Sequence, residues 1–361
     1  MTQTMRAARL HKVGEALRIE DVPMPQVGPD DALVRIAACG TQDGDDQLIR
    51  GMLPLLQTPL VIGHEPAGTV AQVGANVRNV RAGDRVFVSP SLSCGQCLEC
   101  RSGNENYCPE YAVMGMSYFA PPGKARFARY GDGGFAEYML IPAANANPLP
   151  DGIPFDQAAK FAFLGVALKA CERARIQPGS SVIVSGASGA LGTCVVMCAH
   201  ALGATRIVAL ARDAGRLERV RRIHPATVHP YAVGTDTALE GARALLPPKG
   251  ADVLIDCLPT ALEIAQSAIA LLRRGGRAVL IGGIRGPINV DYRHFMLSEI
   301  EITGSVGMGP ATYPRVVELL RTGLIDFSDF VTHRFPLDQA NEAIAAVMAK
   351  TGDPLGVVIT P

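Results

Sequence analysis

Hydrophobic residues in the first third of the chain come in short, β-branched, partly alternating runs: Asp31 to Cys39, Ala67 to Val73 and Asp84 to Val88. Gly, Pro or Asn separates them. Alternation bounded by turn residues predicts strands, so this part reads as a β-rich domain. From about Phe155 the pattern changes. Apolar runs such as SVIVSG, RIVALA, ADVLIDC and RAVLIGG alternate with stretches of helical period such as LGTCVVMCAHALG and ALEIAQSAIALLRRG. Strands alternating with helices predict a parallel sheet covered by helices on both faces. Beyond Ile302 come two helical stretches and a last strand, LGVVIT, a tail expected to return and complete the first domain.

Composition adds exclusions more than assignments. The 361 residues, 48% hydrophobic and 19% charged, suffice for two domains with ordinary cores. Lys plus Arg and Asp plus Glu number 34 each, which leaves no global field for nucleic acid or an anionic membrane. A small molecule is therefore the expected partner. No run reaches the roughly 18 apolar residues of a membrane span, and the opening MTQTMRAARLHKVGEAL lacks the apolar stretch of a signal peptide. Nine cysteines, four of them in a metal pattern, point to reduced thiols and a cytoplasmic setting.

Two motifs carry chemistry. Cys94, Cys97, Cys100 and Cys108 form C-x2-C-x2-C-x7-C, a spacing at which four thiolates close one tetrahedral zinc site. All four ligands come from one loop and no position stays open for water or substrate, so this zinc is expected to be structural. The second motif is Gly186-Ala187-Ser188-Gly189-Ala190-Leu191-Gly192, directly after the strand SVIVS and opening a helix. Glycines there let a pyrophosphate approach the backbone and rest on the helix N-terminus. An acidic residue about 20 positions on would bind the adenosine ribose hydroxyls of NAD. Ala211 stands there instead, followed by Arg212, which favours NADPH over NADH unless Arg212 is merely a solvated charge at a helix start.

With both motifs in view the chain resembles, over essentially its whole length, the zinc-containing alcohol dehydrogenase branch of the medium-chain dehydrogenase/reductase superfamily. Gly63-His64-Glu65-Pro66-Ala67-Gly68 resembles that family's GHE-x-x-G signature, and Asp132 to Tyr138 its DGGFAEY segment. The four-cysteine lobe matches in order and spacing. The resemblance implies an α/β architecture: a GroES-like catalytic domain over residues 1–163, a Rossmann domain over 164–301, and a C-terminal segment, 302–361, completing the first. It also implies an active site in the cleft between the domains, Ser305 flanking the nicotinamide, and a homodimer or homotetramer.

The departures from the family say more about the reaction. Where relatives read C-G-x-C-x-[ST]-D, this chain reads Cys39-Gly40-Thr41-Gln42-Asp43-Gly44-Asp45, so Gln42 replaces the metal-binding Cys and Gly44 the relay hydroxyl. Gln47 stands where many relatives place a relay histidine. Counting from Ala158-Ala159, the family's remaining Cys ligand falls on Phe163. Only His64, Glu65 and Asp45 survive, too little charge and too few bonds to hold a catalytic zinc. The alternative is a rearranged site in which Asp43 or Asp45 joins His64 and Glu65.

Without that zinc, building an alkoxide loses its Lewis acid, whereas hydride addition to an α,β-unsaturated carbonyl spreads charge into an enolate that hydrogen-bond donors stabilise. The expected activity is therefore NADPH-dependent reduction of an activated C=C or C=N bond. An alcohol or ketone dehydrogenase with a rearranged metal or a protein proton donor, and a non-catalytic NADPH-binding protein, are the alternatives. Gln42, Asp43 and Gln47 are expected to line the pocket. Phe163 either makes it more apolar, suited to a flat or bulky substrate, or packs in the core. The stretch Met116 to Gly131 is longer than usual in the family and reads as a lid or specificity element, with Tyr118 or Tyr130 as possible proton sources.

Overall fold

The structure, a computed structural model, describes residues 3–53 and 55–361. The chain divides into two compact units. The first comprises residues up to Ala162, Met308–Val317 and Asp326–Pro361; the second comprises Phe163–Gly307 and Glu318–Ile325.

The first unit is built on a seven-stranded sheet whose backbone path runs Ala146–Pro148, Arg85–Val88, Glu65–Val73, Asp31–Thr41, Gly356–Thr360 and Val331–Pro336, with Tyr138–Pro142 also paired to Asp31–Thr41. The three alternating runs of the sequence become neighbours here. The final strand inserts beside Asp31–Thr41, with Val357 opposite Thr41 and Val358 opposite Gly40. The chain end thus completes the first sheet, burying Val357, Val358 and Ile359. A separate three-stranded sheet, Ser91–Leu92, Ala112–Val113 and Ser117–Tyr118, carries the cysteine lobe.

The second unit is a six-stranded parallel sheet, ordered Val228–Ala232, Arg206–Ala211, Ser181–Ser185, Ala251–Asp256, Leu272–Leu280 and Glu301–Gly304. Strands buried on both faces need continuous apolar runs rather than alternation, and Ser181–Ser185 is buried at every position. The edge strand Glu301–Gly304 belongs to this sheet. Ile302 pairs with Ala278, so the second unit continues through this strand, and the chain rejoins the first unit at Met308. Among the described residues no helix is long and apolar enough to cross a membrane.

Candidate active site and cofactor cradle

In the first unit the antiparallel pairing of Asp31–Thr41 with Glu65–Val73 sets Gly40 opposite Glu65. The end of one strand and the start of the other therefore deliver Thr41, Gln42, His64 and Glu65 to one place. After Gln42 the chain turns into the helix Asp43–Ile49, capped by reciprocal bonds: the Gln42 amide donates to Asp45 Oδ2 at 3.0 Å, and the Asp45 amide to Gln42 O at 3.0 Å. Three acidic residues, Asp43, Asp45 and Asp46, complement the positive end of that helix. Asp45 turns inward. It is buried, accepts from Thr41 Oγ1 at 2.9 Å, and lies 3.5 Å from His64 Nδ1, a charge contact rather than a formed hydrogen bond. On the other side of the ring, Gln42 Nε2 meets His64 Nε2. Burial acts to lower the His64 pKa, but the Asp45 and Glu65 carboxylates, opposed by Lys160, outweigh it and hold the imidazole above its ordinary value.

Lys160 is the residue that sequence reasoning missed. The Ala158-Ala159 segment brings this ammonium, not an aromatic ring, to Glu65: Lys160 Nζ lies 2.5 Å from Glu65 Oε2 and donates to Thr41 O at 3.1 Å. The two side chains are 0% and 1% exposed, so the pair is wholly removed from water. A signal existed in the sequence, since Lys160 is the one charge in the apolar stretch AAKFAFLGVAL, where an ionised side chain must find a partner. Phe163 opens the second unit, on the helix Phe161–Arg173, and is partly exposed. Asp43 is exposed at the first turn of the short helix after Gln42, and Gln47 is half-buried further along it.

The stretch from Met116 to Gly131 is anchored through Phe127 and Tyr130. Phe127 is buried against Tyr118, with ring centroids 5.7 Å apart, and the Tyr130 hydroxyl donates to the buried Asp31 at 2.7 Å, beside the Arg129 guanidinium. Tyr130 is thus committed to holding Asp31, which in turn accepts from the Gly28 amide at 2.8 Å. These bonds tie the insertion to the strand Asp31–Thr41.

Sulfur atoms of Cys94, Cys97, Cys100 and Cys108 all lie within 4.8 Å of one another, and the Cys94–Cys100 and Cys97–Cys100 pairs are 3.9 and 3.5 Å apart, near the roughly 3.8 Å edge of a tetrahedron of zinc–sulfur bonds of about 2.3 Å. Among the described residues this is the one group of three or more His, Cys, Asp or Glu side chains placed to hold a metal. Amide N–H groups of Gln96 and Cys97 favour the thiolate of Cys94 and lower its pKa to about 6. The donor set fits a closed structural zinc.

In the second unit the carboxyl ends of the strands form one row. Ser185 pairs with Leu210 and Asp256, Asp256 with Leu280, and Leu280 with Gly304. Gly186 follows at φ +74°, and Gly189 caps the helix Ala190–Ala201. At Gly192 a Cβ would lie 2.2 Å from Gly186 O, so only glycine lets the helix approach the turn. Ala187 is buried, and its amide donates to Leu210 O at 3.0 Å, while Ser188, Ala190 and Leu191 stay partly exposed around the helix start. Ala211 closes the next strand and Arg212 is exposed, while Asp213 turns its carboxylate onto the Arg216 amide as a helix cap. Ser305 anchors its amide on Leu280 O at 3.1 Å, and its buried hydroxyl has no hydrogen-bond partner, a donor left for a bound group. The cradle and this orphaned hydroxyl fit a dinucleotide. Ser185 Oγ donates to Asp256, whose burial raises its pKa to about 6.

The two halves match two family models, the alcohol dehydrogenase GroES-like domain over residues 28–151 and the zinc-binding dehydrogenase over residues 190–322. Sorbitol dehydrogenase of Bacillus subtilis is 30% identical, covering 99% of this chain and 98% of that protein. The chain belongs to the zinc-type alcohol dehydrogenase family of the medium-chain dehydrogenase/reductase superfamily. Within it, L-idonate 5-dehydrogenase of Vitis vinifera is 30% identical over 95% of this chain and 92% of its own. A zinc-binding dehydrogenase of Sinorhizobium meliloti, solved bound to NADP, superposes with a TM-score of 0.87 at 28% identity, covering 99% of this chain and all of the other. The chain is an oxidoreductase of this family with its two-domain α/β fold. A catalytic metal in such an enzyme needs several anionic or imidazole donors; here Glu65 is engaged by Lys160 and His64 by Gln42.

Proposed function

We propose that this chain is an NADPH-dependent oxidoreductase that works without a catalytic zinc and reduces an activated C=C or C=N bond. The observation that carries the reading is the buried Lys160–Glu65 ion pair, which occupies one of the two conspicuous metal-type donors near the end of Asp31–Thr41. With Gln42 against His64 as well, these residues do not fit a catalytic zinc. Arg212 in place of a ribose-binding carboxylate supports NADPH, and so does the NADP held by the Sinorhizobium relative. When bound, NADPH supplies the hydride.

The chain's own residues then have to orient the substrate and carry its developing charge. Hydride addition to the β-carbon of an α,β-unsaturated carbonyl moves charge onto the carbonyl oxygen, and addition to an iminium carbon quenches a positive charge. Neither builds a localised alkoxide. An amide carries two N–H bonds. With one directed at His64 Nε2, Gln42 keeps a second for a substrate oxygen, and His64 with Asp45 behind it fixes the amide's position. Asp43 and Gln47, on the helix that follows Gln42, are proposed to line the same pocket, and Phe163 to contribute an apolar wall. The cysteine lobe is proposed to hold one structural zinc.

A second reading rests on the relatives, named as sorbitol and L-idonate dehydrogenases. On that reading the chain oxidises a polyol, with His64 backed by Asp45 accepting the hydroxyl proton. One experiment separates the two: NADPH oxidation with enones and cyclic imines is compared with NADP reduction by sorbitol and L-idonate, on protein whose zinc content has been measured. Turnover of the first group alone, with one zinc per chain, supports the reductase. Polyol turnover overturns it.

A further inference from the structure

We propose that Asp256 is a positioning residue beneath the phosphate turn, and that its carboxyl takes up a proton as the anionic dinucleotide binds. The inference deepens the NADPH reading above and rests on it. Strand register sets Asp256 beside Ser185, the residue directly before Gly186, at the carboxyl end of the sheet. Both side chains are buried, at 3% and 0% exposure, and Ser185 Oγ donates to Asp256 Oδ1. Backbone bonds close the same corner: the Cys257 amide donates to Ser185 O at 3.0 Å, and the Ile281 amide to Asp256 O at 2.9 Å. The turns that follow are packed glycine against backbone. A Cβ on Gly186 would lie 3.2 Å from Cys257 C, and one on Gly282 would lie 2.1 Å from Leu258 O. Asp256 thus ties together the ends of three neighbouring strands, and the first of them runs straight into the glycine turn.

The groups facing the carboxyl are neutral. They are the Ser185 hydroxyl, the Leu258 amide and the Cys257 thiol, which burial holds well above its ordinary pKa, with Leu280 in register on the other side. The helix Leu262–Ile269, packed on the same strands, brings Glu263 at an exposed position, and Ala190–Ala201 brings His200 only in its last turn. Burial raises the Asp256 pKa to about 6, opposed by the Ser185 and Leu258 donors. A pyrophosphate resting on the Gly186 turn adds negative charge at this end of the sheet. A like charge disfavours the ionised carboxyl further, so binding lifts its pKa, and by linkage the dinucleotide prefers the protonated form. Affinity is therefore full below about pH 6 and falls as pH rises through it.

The test titrates the full chain and Asp256→Asn with NADP, which survives mild acid, by calorimetry from about pH 5 to about pH 8, in two buffers of different ionisation enthalpy so that proton uptake is counted. The 2′-phosphate also titrates near about pH 6, so the ratio of dissociation constants between the two proteins, in which it cancels, is the quantity read. Wild type is expected to match the variant near about pH 5 and to bind about tenfold more weakly at about pH 8, as a titration moved up by about one pH unit requires, and to take up more protons than the variant in between. Ser185→Ala removes a donor to the ionised carboxyl and is expected to move the fall in affinity to higher pH; it serves as the second variant should Asp256→Asn unfold. A ratio constant with pH and equal proton uptake, or a fall that Ser185→Ala leaves in place, overturns this inference alone. Folded protein that binds no NADP at any pH overturns the cofactor reading and this inference with it.

Discussion

Lys160 and Glu65 are 95 residues apart in sequence and meet with neither exposed to solvent. Breaking a buried pair by truncating one partner leaves an uncompensated charge, which costs more than the pair contributes. Lys160→Met is therefore expected to lower stability by about 3–5 kcal/mol, measured by urea unfolding in the absence of added metal. Adding Glu65→Gln removes the orphaned charge and is expected to restore much of that loss; strict additivity of the two single changes would show that the residues do not interact. Counting along the chain from Ala158-Ala159 to Phe163 passes over Lys160, which the fold turns onto Glu65. A pattern of residue types carries no information about which side chain on a turn points inward.

Elements position the cofactor cradle, and two predictions belong to them. The strand Ala251–Asp256 ends on a carboxyl whose burial lifts its pKa to about 6, against about 3.9 when unfolded. A raised carboxyl pKa means that the folded state holds the proton more tightly. Its contribution is fully present below about pH 3.9 and is lost as pH rises through about 6. Asp256→Asn is accordingly expected to match wild type near pH 4 and to be more stable by roughly 2–3 kcal/mol at pH 8. A difference independent of pH in thermal melts would show that the carboxyl does not titrate in the fold. At the end of Arg206–Ala211, Arg212→Ala is expected to raise KM for NADPH at least about tenfold with little change for NADH. Equal effects on both cofactors would mean that Arg212 does not contact the 2′-phosphate.

For the molecule as a whole, the resemblance carried by the cysteine lobe, the glycine turn and the Gly63–Gly68 and Asp132–Tyr138 segments pointed to an oxidoreductase of this family, and the metal count is the property that divides its possible chemistries. Elemental analysis of protein purified without chelator is expected to find one zinc per chain, absent from Cys97→Ser/Cys100→Ser. Two zincs, with one surviving in that variant, would restore a metal-assisted dehydrogenase around His64. The lobe's own core is small, Cys108, Tyr111 and Val113 with the other cysteines packed on it, so its zinc is expected to matter for folding. Chelation should therefore open the segment between Cys94 and Cys108 to proteolysis before the rest of the chain.

What the sequence by itself determined was local. The thiol spacing of Cys94 to Cys108 closes within one loop, and the Gly186 to Gly192 turn is marked by its own glycines and the strand directly before it. Alternating and continuous apolar runs report the two kinds of sheet because burial on one face or two acts on neighbouring residues. Tertiary structure decided the rest. The edge strand Glu301–Gly304 is four residues long and partly exposed, so no pattern marks it, and it joins the second unit through its pairing with Leu272–Leu280. The commitment of Tyr130 to Asp31, and of Lys160 to Glu65, depends on segments distant in the chain arriving side by side. Buried charge is a property of such meetings: each group's cost is set by the partner that folding brings to it, and the partner is not written next to it in the chain.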